Sequence, residues 1–266
     1  MTIQFLISLI FGSIFVVAII FRVIEPTYLL LFEKPLYIHW YPFPKKIAEN
    51  HKLFLKNNFG FYARLSIRRK KYFEHRVKEF ISNYEFIGKD NTITEEMQLL
   101  IAGTYVMLTF GMRDYLSPLF TKIIIYPTTY YSTLNQNYHK GEFNPRMKAV
   151  VFSWEDFILG HSTTNDNINL GLHEFSHILH FTCLKTNTPS AILFFDAFNK
   201  AVKYYNDEKL NHELLNKGYF RAYAYENQFE FLSVILEHFF ETPHVFKITH
   251  PELFAHVQTM LNFKEK

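Results

Sequence analysis

Residues 170–180 read Leu170-Gly171-Leu172-His173-Glu174-Phe175-Ser176-His177-Ile178-Leu179-His180. The apolar residues at 170, 172, 175, 178 and 179 predict a helix over about 166–183 that is apolar on most of its surface. His173 and His177 are four residues apart and share one face, so both imidazoles can bind a single ion. Glu174 lies beside His173 and can reach a water on that ion. A glutamate and two histidines are costly to bury in such a helix unless they are paired or hold metal. Zinc held by two histidines and a carboxylate keeps a fourth position for water. It lowers that water's pKa towards ~7, and the neighbouring glutamate takes the proton as general base. His212-Glu213-Leu214-Leu215-Asn216 lacks the second histidine and lies in a polar stretch, so it carries no such reading.

The third ligand must come from elsewhere in the chain. Downstream, Asn227 is placed to cap a helix predicted over 228–241 whose first turn holds Glu230. Glu230, Val234 and Glu237 share one face of that helix, at i, i+4 and i+7. Spacing alone leaves two readings of Glu230: a metal ligand, or a capping-box glutamate. Glu237 fits a residue that orients a ligand histidine through its other ring nitrogen.

Around these motifs the chain predicts a single α+β domain, mainly helical with a small sheet. Helices are expected at 46–58, 61–82, 96–111, 189–205 and 251–263 besides the two above. Thr92-Ile93-Thr94-Glu95 reads as a capping box, and Thr188-Pro189 as a cap followed by proline at the first helical position. Strands are expected at 122–126 and 149–153, with 130–148 polar and irregular. Strand 149–153, just before the histidine helix, could pair with an extended peptide. The basic residues Arg64, Arg68, Arg69, Lys70, Lys71, Arg76 and Lys78 read as a solvated helix face, or as a contact for anionic lipid.

Among the 266 residues are 30 Phe and 17 Tyr, and 48% are hydrophobic, which excludes a disordered chain and permits a sizeable core. One cysteine excludes an internal disulfide framework. A net charge of +3 without a recognised binding motif gives no ground to expect nucleic acid as a partner.

The N-terminus carries a separate signal. Phe5 to Phe21 holds no charge and only Ser8, Gly12 and Ser13 as small or polar residues. Residues 1–23 are therefore expected to be a transmembrane anchor, about 20 apolar residues being enough for a ~30 Å hydrocarbon core. A cleaved signal peptide fits less well: Met1-Thr2-Ile3-Gln4 has no basic residue and Arg22-Val23-Ile24-Glu25 is a poor cleavage site. Arg22, Lys34, Lys45 and Lys46 follow the span, which places the body on the cytoplasmic side of the inner membrane. Residues 24–44 carry four prolines and are expected to form an extended connector, whose aromatics sit at headgroup level or pack on the domain. Residues 45–266 form the domain.

The motifs taken together resemble the Mlc titration factor A family of bacterial zinc metallopeptidases. The likeness covers about 45–260: the Thr94-Glu95-Glu96-Met97 helix start, Ile123-Ile124-Ile125-Tyr126-Pro127, Val150-Val151-Phe152-Ser153-Trp154, His173 to His177, and the stretch from Tyr223 through Asn227 and Glu230 to Phe240. The resemblance implies a zincin-like catalytic domain similar to that of anthrax lethal factor, and peptidase activity on small peptides. It implies zinc, one ion per chain, on His173, His177 and Glu230, with Glu174 as base and Tyr223 facing the metal as oxyanion donor. The chain departs from the family at His180, where the family has Asp and where a histidine could approach the metal, compete as a ligand or simply sit in the core, and at Gln228, where it often has Pro. The best-known members are soluble and bind a transcriptional repressor, a protein regulator that is not carried over to a chain with a membrane span. The expected function is a membrane-anchored zinc peptidase acting on a peptide or protein. The rival is a zinc-containing binding or regulatory module that interacts with a transcriptional regulator or other protein without physiologically relevant proteolysis.

Overall fold

The computed structural model describes residues 3–132, 136–163 and 165–263. The first helix, α1 (Ile3–Ile19), runs through a π turn (Ile20–Ile24) directly into α2 (Glu25–Phe32). The result is one 30-residue helix, Ile3–Phe32, long and apolar enough to cross a membrane and with its apolar window unburied. The expected extended segment therefore begins later than residue 24. Pro26 does not end the helix because Glu25 N–H reaches back to Ile20 O, skipping one residue of the ladder. That wider turn gives the proline ring room at the start of α2. The helix stops at Glu33, whose φ is 48°.

The body follows in chain order. It contains α3 (Glu49–Asn58), α4 (Gly60–Arg64), α5 (Ile67–Asn83), β1 (Glu85–Gly88), α6 (Glu95–Thr109), β2 (Lys122–Tyr126), β3 (Tyr130–Ser132), β4 (Asn137–His139), β5 (Gly141–Asn144) and β6 (Ala149–Ser153). Then come α7 (Trp154–Ser162), α8 (Leu170–Leu184), α9 (Pro189–Asn206), α10 (Glu208–Lys217), a 3₁₀ turn (Ala222–Tyr225), α11 (Gln228–Glu241), α12 (Pro243–Thr249) and α13 (Pro251–Met260). The chain is α+β and mostly helical.

Local chemistry explains several starts. Thr188 caps α9 with Pro189 at its first turn, and Asn227 caps α11 by accepting from Phe229 and Glu230 N–H. α6 opens at Thr94, two residues later than the expected cap Thr92. Thr94 Oγ1 accepts from Met97 N–H at 3.2 Å while Met97 Sδ accepts from Thr94 N–H. This start puts Glu95 and Glu96 together in the first turn, where the helix dipole favours them. The basic segment expected as one helix over 61–82 is two, separated by Ser66, which caps α5.

The sheet has the order β1-β2-β6-β5, with β1, β2 and β6 parallel and β5 antiparallel at the edge. β3 and β4 form a separate antiparallel pair, so the stretch 130–148 expected to be irregular holds strands, with 133–135 outside the described residues. These strands are short and mostly polar, and they gain order by lying on neighbours rather than from an apolar run of their own. Ile123, Ile125, Val150 and Phe152 point into the main core. Ile124, Ala149 and Val151 point the other way and are covered by Tyr130. Two covered faces explain why β2 and β6 read as continuous apolar runs. β6 is also flanked on both sides, by β2 and β5, so it has no free edge for a peptide. The free edge on that side belongs to β5.

Arg76 departs most from the solvated face expected of α5. It is wholly buried. Its guanidinium donates to the carbonyls of Thr109, Phe110 and Met112 at 2.9, 3.2 and 2.7 Å, and to Tyr41 Oη at 2.7 Å. It thereby satisfies carbonyls that the end of α6 leaves open. Arg76→Met should destabilise the domain by roughly 2–5 kcal/mol, since three buried acceptors lose a charged donor. Thermal unfolding of the full-length protein checks this, and a melting temperature equal to wild type refutes the capping role.

Candidate metal centre

Two helices build the site. α8 is fixed at its start by Asn169, whose Oδ1 accepts from Leu172 N–H at 3.0 Å while its Nδ2 donates to Gly160 O and Glu241 Oε1. One helical turn apart on α8, His173 Nε2 and His177 Nε2 come within 3.2 Å. The first turn of α11 brings Glu230 Oε2 to 2.9 Å from His173 Nε2 and 3.7 Å from His177 Nε2. The three donor atoms all lie within 4.8 Å of one another.

The donor set fits a metal on two grounds. Tetrahedral zinc with bonds near 2.0–2.1 Å places its ligand atoms about 3.3 Å apart, and the three separations fall around that value. Glu230 Oε2 is buried and no hydrogen bond of acceptable geometry reaches it, although His173 Nε2 is close. Charge points the same way: Glu230, Glu142 and Glu237 all raise the cost of ionising Glu174, and Arg221 pairs with Glu237. A divalent cation would balance the rest.

His173 is held from behind. Its Nδ1 lies 2.8 Å from Glu237 Oε1, which leaves Nε2 facing the cluster. Glu237 is fully buried and takes two hydrogen bonds from Arg221, to Oε2 at 2.6 Å and to Oε1 at 3.0 Å. Arg221 also donates to the Asn167 carbonyl, just before α8. Burial alone would depress the His173 pKa, but the Glu230 and Glu237 carboxylates beside its ring nitrogens outweigh it and raise it to about 10. Burial and the charge on His173 push His177 the opposite way, to about 4. A proton is thus favoured on one ring nitrogen set and excluded from the other.

Glu174 is buried and raised to about 7 by that burial, with Glu230, Glu142 and Glu237 adding to the rise and His173 opposing it. It packs against β5 at Gly141. A Cβ there would come 2.9 Å from Glu174 Cγ and 3.0 Å from its Oε1, so only glycine leaves the side chain in place. Tyr223, on the 3₁₀ turn, is 39% exposed, with its ring 5.7 Å from that of His173. Burial and the Glu230 carboxylate raise its pKa, and it hydrogen-bonds Glu230. His180 is not part of the cluster. One turn further along α8 it is boxed by Phe181, Phe194, Phe195, Phe198 and Phe229, and burial lowers its pKa to about 4.

The structure thus brings together His173, Glu174, His177, Tyr223, Glu230 and Glu237. Sequence reading missed Arg221 and Gly141. Arg221 stands two residues before Tyr223, and a lone arginine ahead of an acidic apolar helix was the available signal. Gly141 lies in the stretch taken as irregular and gave none.

Residues 42–261 match the family described as glucose-regulated metallo-peptidase M90. The chain belongs to this family. The matched span holds every residue of the cluster and leaves α1 and α2 outside it. The chain is also 26% identical over 163 residues to the uncharacterized protein slr2042 of Synechocystis sp., a stretch that is 56% of this chain and 54% of that protein. It therefore spans about half the length of that relative. Membership in a metallopeptidase family implies a metal and a peptide or protein substrate, and the His173, His177 and Glu230 group is compatible with holding the ion.

Arg221→Met should weaken metal retention by about 10- to 100-fold, because Glu237 loses the donors that aim it at His173, and should also lower stability, because a buried carboxylate loses a charged partner. Competition with a chelator of known affinity measures this. Unchanged retention would show that Glu237 holds its position without Arg221.

Proposed function

We propose that the chain is a membrane-tethered zinc peptidase with a zincin-like site, its catalytic domain on the cytoplasmic side of the inner membrane. The observation that carries this reading is the convergence of His173, His177 and Glu230 beside a buried carboxylate that is not one of the three. A site that only stored a metal has no use for Glu174 at that place. His173, His177 and Glu230 would hold zinc, which when bound acidifies a coordinated water and polarises a carbonyl. Glu174 accepts the proton of the attacking water and passes it to the leaving amine. Tyr223 presents its hydroxyl to the oxygen that gains charge in the transition state. Glu237 and Arg221 keep the His173 ring turned so that Nε2 faces the ion.

The substrate is read as an extended peptide lying along β5 rather than β6. Among the described residues no strand pairs with the outer edge of β5. That edge runs beside α8 at Gly141, next to Glu174, where an added strand could pair. The positive residues Arg22, Lys34, Lys45 and Lys46 that follow the span support the cytoplasmic placement.

Side-by-side assays of zinc content and peptide-library cleavage test the division of roles in the full-length protein. Glu174→Gln should keep its zinc and lose at least ~10²-fold in turnover, since a base and not a ligand is removed. Glu230→Ala should lose metal affinity. Tyr223→Phe should keep the metal and lower turnover. Metal loss in His180→Ala but not in Glu230→Ala would refute the ligand set. Undiminished cleavage by Glu174→Gln would refute the mechanism and favour a regulatory module.

Gly141→Ala gives an independent check on the position of the base. The added methyl should displace Glu174, so turnover should fall by ~10-fold or more while zinc content stays at wild type. Wild-type turnover in this variant would show that Glu174 works from another position.

A further inference from the structure

α2 does not project freely from the domain. Glu25 and Leu29 are buried against it, although the rest of that helical turn faces outward. The Glu25 carboxylate takes both terminal nitrogens of Arg113, and the Arg113 guanidinium also donates to the Tyr37 carbonyl at 3.1 Å and stacks 3.8 Å above the Tyr37 ring. Arg113 is in turn fixed by its own N–H, which donates to Ser190 Oγ at the start of α9. Helix, connector and domain therefore meet at one guanidinium. A partly buried bidentate pair of this kind holds an orientation as well as a contact.

That junction sets the height of the connector. Glu25 is one turn beyond Arg22, the first charge after the apolar span. Tyr37 is at the level of Glu25, and Trp40 packs edge-on to Tyr37 at 6.3 Å. Trp40 is nevertheless 73% exposed and Phe43 is 93% exposed, and Leu30, Leu31 and Phe32 are exposed with them. Large apolar side chains left in water on the connector and on the end of the helix mark surface that something covers. Lys34 lies over the Tyr28 and Phe32 rings, and Lys46 is exposed nearby in sequence, so the apolar patch carries a cationic rim.

We propose that this patch seats the catalytic domain on the bilayer: Trp40 and Phe43 lie among the headgroups of the same membrane that α1 crosses, and the Glu25–Arg113 clamp fixes the domain there. The inference rests on the membrane-anchor reading. The covering partner is lipid rather than protein because Leu30, Leu31 and Phe32 end the spanning helix itself, the clamp ties the Tyr37–Trp40 stretch to that helix at Glu25, and aromatics and lysines are the residues that headgroups accept. A rigid seat of this kind restricts the candidate site to polypeptide close to the membrane surface.

Tryptophan quenching tests the seat in full-length protein placed in nanodiscs of brominated phosphatidylcholine with anionic lipid. Trp154→Phe leaves Trp40 as the sole tryptophan of the two. Its emission should be blue-shifted, lost on bromination near the headgroups more than on bromination deep in the chains, and protected from iodide. A red emission open to iodide and untouched by brominated lipid overturns the proposal. Protection from both quenchers overturns it too, by showing a protein partner. Phe15→Trp with Trp40→Phe and Trp154→Phe reports the span separately. Quenching there without quenching at Trp40 sinks the seat alone, whereas quenching at neither sinks the anchor reading as well. Arg113→Gln should reduce quenching at Trp40 and not at position 15, and the swapped pair Glu25→Arg with Arg113→Glu should restore it. Full quenching of Trp40 in Arg113→Gln overturns the clamp.

Discussion

Glu237 has no access to water, and a carboxyl group in that position is tolerated because Arg221 and His173 both bond to it. A buried carboxylate without such partners costs roughly several kcal/mol. The three groups come from α8, α11 and the segment before the 3₁₀ turn, so the pairing fixes the relation of those elements to each other. Ser233 adds a bond from α11 to the His173 carbonyl at 3.3 Å. Everything at the candidate centre depends on this relation. If α11 slid by one turn, Glu230 and Glu237 would both lose His173.

The same region concentrates like charge to an extent that a core selected for stability alone would avoid. Glu142, Glu174, Glu230 and Glu237 lie near one another, and burial pushes Glu174 up to about 7. The surroundings are aromatic and closely packed. His180 shows what a histidine in the same helix becomes without a carboxylate beside it: a neutral ring enclosed by phenylalanines. Two histidines on α8 face carboxylates and one faces hydrocarbon, and that difference separates the candidate centre from the core.

The N-terminal helix and the domain are joined more tightly than a span followed by a flexible connector would be. Tyr41 donates no slack, since Arg76 binds its hydroxyl and packs over its ring. Arg113 holds Glu25 from the other end of the connector. The prolines at 26, 35, 42 and 44 shape this path without ending the first helix, because the π turn before Pro26 absorbs the missing hydrogen bond.

The sequence by itself determined what is set within one turn or one helix. The four-residue spacing of His173 and His177, the Asn227 cap before Glu230, the Thr188-Pro189 start of α9 and the apolar character of residues 5–21 all act through neighbours in the chain, and all were legible. The shared face of Glu230 and Glu237 was legible too, but which of them meets the free nitrogen of His173 was not. That depends on how α11 lies on α8. Arg221, Gly141 and the Glu25–Arg113 pair were decided by tertiary structure alone: their partners are 16, 33 and 88 residues away in sequence, as with Arg221 and Glu237, Gly141 and Glu174, and Arg113 and Glu25. The edge position of β5 was hidden for the same reason. A short polar strand has no periodic signal strong enough to declare itself, and it exists because β6 offers it a ladder.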